Sequence, residues 1–589
     1  MLGPIFNREL RTVPRHFRHY RLRIFYLGTL WVLGLTAWQT LLGWGRSASQ
    51  GDLAAFGTIL FQLFTFSQLT LVLFFAALIA AGAVAQEKDR RTFILLLITD
   101  LRRREIVLGK LLGSLLQTSV LLVASAPLLA FTVLLGGVAF HQVWEALAIL
   151  AGTALAAGAL GCLIALWRDK TFQTLALTLL CMVLYFLLVE ALGLLALFTD
   201  IPNSTIQNWQ TWFNPYRAMG NVLLPPVKMT FNQHPLIYTA WMFGLFSLLS
   251  GIGIIKLRDW NPSGEPIQQP DTELAEKIDE PKTRDIHASP GKVRDVWPNP
   301  ILWREIVTRA YGRKILIIKI IFLLIVCALS YSALSNLPAP SRTDRLAPAF
   351  GLVPVLVLSL LMINAQSVTA ITNERDLNSL ELLLVTDLTP KEFLFGKLGG
   401  ILYNTKEILI APVILALIYA IRGYCGWEST VYLVITMLVL MAFTIMLGIH
   451  VALRTVKARS AILYSIGTVF FLTVGTMLTI YLIFIGGRFE YQWTSFILFL
   501  AIGIGGLWLV LGGREPSVAI SIASWACPLG MFYGITSVII GNPRTGASGD
   551  VLWPFLVVIG SFGFTIAAMM IPMLSEFNVA LAHNTPAEE

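Results

Sequence analysis

Residues 87–110 read EKDRRTFILLLITDLRRREIVLGK, and residues 374–397 read ERDLNSLELLLVTDLTPKEFLFGK. The two stretches align without a gap. Glu87 falls on Glu374, Asp89 on Asp376, Leu95, Leu96 and Leu97 on Leu382, Leu383 and Leu384, Thr99-Asp100 on Thr386-Asp387, and Gly109-Lys110 on Gly396-Lys397. Each copy follows one long apolar run and precedes another, so each is a loop between two membrane spans. Its apolar core, Phe93 to Ile98 or Leu380 to Val385, falls far short of the ~20 residues needed to cross a bilayer. Contiguous apolar surface on the water side needs cover. Either a helix packs beneath the chain's own membrane body, or it plugs into a groove on a soluble partner.

The order Glu-x-Asp-x-x-Thr/Ser, Leu-Leu-Leu-x-Thr-Asp-Leu, Glu-x-x-x-Gly-Lys in both copies resembles the loop between the second and third spans of ABC-2 type permeases, the membrane halves of a class of ATP-driven transporters. In that family this loop carries the coupling helix that touches the ATPase subunit. The resemblance implies two ATPase-coupling sites. One comprises Glu87, Asp89, Leu95, Leu96, Leu97, Thr99 and Asp100; the other comprises Glu374, Asp376, Leu382, Leu383, Leu384, Thr386 and Asp387. It also implies ABC-type ATPase subunits as partners on the cytoplasmic face. ATP and Mg are then expected on those partners, with no cofactor in this chain.

The chain is 56% hydrophobic and 13% charged, with mean hydropathy +0.73. That is about half the charge of an ordinary soluble domain, and apolar runs recur from end to end, so the fold class is an all-α polytopic membrane protein. The net charge of +9 points to helix orientation rather than to nucleic acid, because most Lys and Arg lie between the spans. Cys162, Cys181, Cys327, Cys425 and Cys527 are scattered and suggest neither a disulfide frame nor a metal site.

Residues 1–23 mix Ile5, Phe6, Leu10, Val13 and Phe17 with six arginines, as suits an elbow lying on an anionic lipid surface, and the apolar run that follows reads as a retained first span. Pro300-Ile301-Leu302-Trp303-Arg304-Glu305-Ile306 repeats the order of Pro4-Ile5-Phe6-Asn7-Arg8-Glu9-Leu10, in step with the loop repeat. The expected domains are therefore a first permease half over 1–256, a Pro- and charge-rich cytoplasmic linker over 257–297, and a second half over 298–589. The repeats run parallel. An extra apolar segment at about 488–541 has no first-half counterpart, leaving 12 or 14 spans open. The positive-inside rule places the loops bearing the repeat, and both termini, in the cytoplasm of a cell whose inner (plasma) membrane holds the protein. Residues 200–235, with Trp209, Trp212, Phe213 and Tyr216, then lie outside at the interface; the resemblance implies re-entrant helices here, which Trp525 to Pro528 echoes in the second half.

An ATP-driven transporter needs G-x-x-x-x-G-K-[ST] somewhere, and Gly109-Lys110, Gly291-Lys292 and Gly396-Lys397 lack both the leading glycine and the Ser/Thr. Hydrolysis is therefore expected on a separate subunit, and no catalytic or metal residues are assigned. Glu190, Lys319, Lys406, Glu407 and His450 fall inside spans, where each charge costs about 2.5–3.5 kcal/mol on insertion scales. Lys319 is expected to snorkel toward the basic end of its span. Glu190 and Glu407 are candidates for a substrate path or for intramembrane ion pairs. A secondary transporter driven by an ion gradient, or a membrane anchor for a partner, would also suit internal repeats.

At the loop ends, Thr389-Pro390-Lys391-Glu392 reads as a capping box with proline at the first helical position. In the first copy Arg102-Arg103-Arg104 stands there, leaving Asp100 as the nearer cap and three cations at the positive end of a helix dipole. Such a cluster is expected to serve anionic lipid or acidic groups on the partner.

Overall fold

The computed structural model describes residues 3–12, 17–42, 49–168, 170–194, 202–223, 233–261, 297–307, 315–335, 347–376, 380, 389–455, 457–475, 493–512, 518–540 and 552–575. Every element among them is helical, as hydrocarbon demands of a chain that must satisfy its own backbone. A short α1 (Gly3–Thr12) precedes α2 (Phe17–Leu41), α3 (Gln50–Asp89), the small α4 (Thr92–Ile98), α5 (Arg103–Leu135), α6 (Phe140–Trp167) and α7 (Thr171–Ala191). Two short helices, α8 (Asn203–Phe213) and α9 (Pro215–Leu223), lead to α10 (His234–Trp260). The second half opens with α11 (Pro300–Val307), then α12 (Ile315–Ser335), α13 (Ala347–Asp376), α14 (Pro390–Ile421), α15 (Trp427–Arg454) and α16 (Ala458–Phe470), which a π turn extends to Gly475. It closes with α17 (Trp493–Gly512), α18 (Val518–Ile540) and α19 (Leu552–Ser575). Ten described helices are long and apolar enough to cross a membrane. Most of the expected linker, residues 262–296, lies outside the described residues, as do Leu382, Leu383, Leu384, Thr386 and Asp387.

Contacts made around the first loop copy recur at matching positions around the second. An added Cβ on Gly161 of α6 would overlap the Ala77 carbonyl oxygen of α3 and approach Ala81 N. At the matching place, a Cβ on Gly448 of α15 would stand 2.6 Å from Ser367 Cβ and 3.1 Å from Val368 N of α13. Small residues at such crossings let helix backbones approach where no hydrophobic drive toward lipid exists. Gly161→Ala and Gly448→Ala are expected to destabilise by about 1–3 kcal/mol through overpacking. Gly82→Ala serves as the control, since nothing lies within 4 Å of a Cβ there. Thermal unfolding in detergent checks this, and equal melting of all three variants would remove the crossing from the account.

A second repeated device ties the span before each loop to the next helix end. Lys88 Nζ donates to the carbonyls of Leu166, at 2.6 Å, and Arg168, at 3.1 Å. Arg375 donates to the matching carbonyls, Leu453 at 3.0 Å and Thr455. Both cations satisfy orphan carbonyls where α6 and α15 end.

The segment expected outside the membrane forms two short helices, α8 and α9. Tyr185 Oη donates to the Phe213 carbonyl at 2.7 Å, Gln142 Nε2 to that of Val222 at 2.6 Å, and Tyr216 Oη pairs with Thr70 Oγ1 at 3.0 Å. The echo at Trp525 to Pro528 does not hold. Asn214 breaks α8 from α9, whereas Pro528 sits inside the continuous α18.

Candidate functional site

Where α3 ends, the chain turns through Arg90 and Arg91 into α4. Arg91 has φ 58°, the left-handed region, and is the one non-glycine residue with positive φ among those described. That conformation costs an ordinary side chain roughly 1–2 kcal/mol. Arg91→Gly is thus expected to stabilise by about 1 kcal/mol, read as a raised melting temperature; an unchanged or lowered one would contradict it.

The turn sets the face that α4 presents. Phe93 and Leu97, one helical turn apart, are buried at 2% and 6% exposure in the apolar core of the first half, and Leu96 is half-buried against it. Leu95 and Ile98 point away, 64% and 68% exposed. The membrane body therefore covers one face of the loop core and leaves the other exposed. Thr99 Oγ1 donates to the Leu96 carbonyl at 2.6 Å, closing the helix end, and Asp100 is exposed.

The acidic ends of the loop turn inward. Glu87 pairs with Lys110, and Asp89 accepts from the Thr171 hydroxyl at the start of α7. In the second half the equivalent pair is part of a buried cluster. Lys397, 2% exposed, reaches Glu305 at 2.5 Å, Glu374 at 2.6 Å and the Ala370 carbonyl at 3.3 Å. All three ammonium donors are used. Arg304 also pairs with Glu374. The elbow helix α11 is thereby fastened to the base of the loop, and glycine packing fastens both elbows: Cβ positions on Gly109 and Gly396 would lie 3.1 Å and 2.9 Å from the Cβ atoms of Ile5 and Ile301. Assigning roles along the loop alone missed Lys110, Lys397, Arg304 and Glu305. The signal was present in the paired Gly-Lys and in the shared Arg-Glu of the two elbows. Asp376 ends α13, its side chain outside the described residues.

The second loop closes as expected: Thr389 Oγ1 accepts from Glu392 N at 3.2 Å, and Glu392 accepts from Thr389 N at 3.0 Å. The first does not use Asp100. Helix α5 starts at Arg103, and Glu105 reaches back to Arg102 N at 3.1 Å because it stands three residues after the cap. Arg103 of the basic cluster donates to the Ile255 carbonyl of α10 at 3.3 Å.

The intramembrane charges meet partners. Glu190 accepts from Arg217 at 2.6 Å and 3.0 Å and from Asn214 at 2.9 Å, clamping α7 to α9 and the turn before it. Glu407 pairs with Lys319 at 2.8 Å. Lys319 thus does not snorkel, because α12 and α14 pack with the two side chains facing each other. Lys406, one residue from Glu407 and so on another face, lies 4.6 Å from the Tyr403 ring. His450 Nε2 and Arg454 Nη1 approach the Leu511 carbonyl at 3.2 Å and 3.1 Å, holding the C-terminal turn of α17.

A cavity of about 1180 Å³ lies between the halves, walled by α2, α3 and α5 on one side and by α16 and α17 on the other. Neither Glu190 nor Glu407 lines it.

The helices and the loop at their base define a polytopic helical membrane protein with a surface apolar helix at one end. Residues 45–255, from the approach to α3 almost to the end of α10, match the family model described as ABC-2 family transporter protein. With ten described helices long and apolar enough to cross a membrane, it is a multi-pass helical membrane protein that carries a region similar to ABC-2 transporters. No curated protein matches the chain.

Proposed function

We propose that the chain is a pseudo-two-fold permease, residues 1–256 and 298–589 forming its two halves, which couples ATP hydrolysis by separate ATPase subunits to substrate movement across the plasma membrane. The observation that carries this is the division of α4: Phe93 and Leu97 anchor it to the membrane body, while Leu95 and Ile98 offer an exposed apolar face. A helix held in this way transmits a push from a partner to α3 and α5. Glu87 and Lys110 then act as braces for that lever rather than as contacts to the partner. The repeated contacts of Gly161 and Gly448, and of Lys88 and Arg375, support two halves built on one plan. By the positive-inside rule the α4 end faces the cytoplasm, together with both termini. ATP and Mg belong to the ATPase.

The test is coexpression with a P-loop ATPase encoded beside this chain. Copurification, with ATPase turnover altered by the reconstituted permease, is the expected result. A folded chain that binds no such subunit, yet moves substrate on an ion gradient, would overturn the proposal.

A further inference from the structure

The two seams between the halves are built differently. On one side α12 packs directly on α7, and Ile318, Phe322 and Ile325 share one apolar core with Phe172, Leu175 and Leu179. On the other side the repeat would set α2 against α16, but α2 meets α17 instead, a helix without a counterpart among the described residues of the first half. The cavity opens there.

Its lining is graded. Toward mid-depth the wall is apolar and aromatic, with Phe66, Leu122 and Phe75, the last within 5.7 Å of the Phe470 ring centre. Hydroxyls of Ser67, Thr70 and Thr468 are spaced along it. At the α4 end stand Arg90, Lys457 and Gln86, and no Asp or Glu occurs among the described lining residues. From Phe66 to Gln86 the wall runs for roughly 30 Å along α3 at 1.5 Å per residue. The volume exceeds the upper range of ordinary small-molecule pockets, about 1,000 Å³. A long apolar slot with cations at one end complements an amphiphile whose polar end is an anion.

We propose that this cavity receives a membrane-derived amphiphile with an anionic head group, its acyl part between α2, α3 and α17 and its head at Arg90 and Lys457, entering through the α2–α16 seam alone. This deepens the permease reading and rests on it. The full chain in nanodiscs, without nucleotide or partner, is exposed to phosphatidylglycerol or phosphatidylcholine carrying the same photoreactive acyl chain, and labelled peptides are mapped. The phosphatidylglycerol probe is expected to label α3 and α16 about tenfold more than the phosphatidylcholine probe. Arg90→Gln with Lys457→Gln removes that difference. Gly467→Leu lowers labelling by both probes, because a side chain there, with Phe75 at 3.8 Å from the Cβ position, projects into the cavity. Equal labelling by the two probes, or labelling at the α7–α12 seam as strong as in the cavity, overturns the proposal. Competition by inorganic phosphate does so too, since it assigns the cations to a free anion. Because no ATPase is present, these outcomes stand apart from the copurification test.

Discussion

Replacing Lys397 with Met is expected to cost about 3–5 kcal/mol, the usual penalty for leaving a buried charge without its partner. Lys397 is 2% exposed, and its ammonium stands between the carboxylates of Glu305 and Glu374. Arg304 compensates Glu374 only in part, because it is also shared with Glu305 at 3.4 Å. The apolar replacement fills the space but leaves two carboxylates in a region closed to water. The equivalent Lys110→Met should cost much less, about 1 kcal/mol, because Lys110 and Glu87 are 11% and 28% exposed and water can replace the lost partner. Thermal melting of both variants in the same detergent separates the cases, and equal losses would show that the cluster is not what fastens α11. Adding Glu305→Gln to Lys397→Met should restore part of the loss by removing one stranded charge.

The second large effect concerns association. Leu95→Asp with Ile98→Asp is expected to weaken binding of the ATPase subunit by at least about thirtyfold, the scale of losing a central apolar contact of 2 kcal/mol or more. Both side chains are exposed in the isolated chain, so melting should be unchanged. Phe93→Asp reverses the pattern. It buries a carboxylate in the first-half core, and folding of the loop is lost before any partner matters. Leu96, half-buried, would mix the two effects, so it is a poorer probe than its place at the centre of the apolar run suggests. Normal copurification of a folded Leu95→Asp, Ile98→Asp variant would sink the docking role of α4.

Much of this architecture is legible in the sequence because the bilayer makes span length a compositional property. The runs that became α3, α5, α6 and α7 are apolar from end to end, and the gapless match of the two loops marks the repeat without any structural help. The direction of each side chain was less accessible. Six consecutive apolar residues, Phe93 to Ile98, do not declare which of them face inward; the left-handed turn at Arg91 decides that. Pairing at long range was hidden for a different reason. Lys319 and Glu407, or Glu190 and Arg217, meet only because particular helices pack together, and nothing local to either partner encodes the meeting. The Asp100 cap failed on a matter of spacing: Glu105 stands three residues after Arg102, the distance at which a carboxylate reaches back to a cap N–H.

Helix α17 packs on α2, and among the described residues no matching helix packs on α12. In an assembly of two identical subunits any inserted helix is written twice, and each mutation that reshapes one seam reshapes the other. A single polypeptide carrying both repeats escapes that rule. One seam can harden into permanent structure while its counterpart varies, so genetic change at α17 reshapes one seam and leaves the hydrogen bonds of Lys88 and Arg375 untouched. Natural variants should accordingly differ more along the face of α17 that looks toward α2 than at the buried join of α7 and α12.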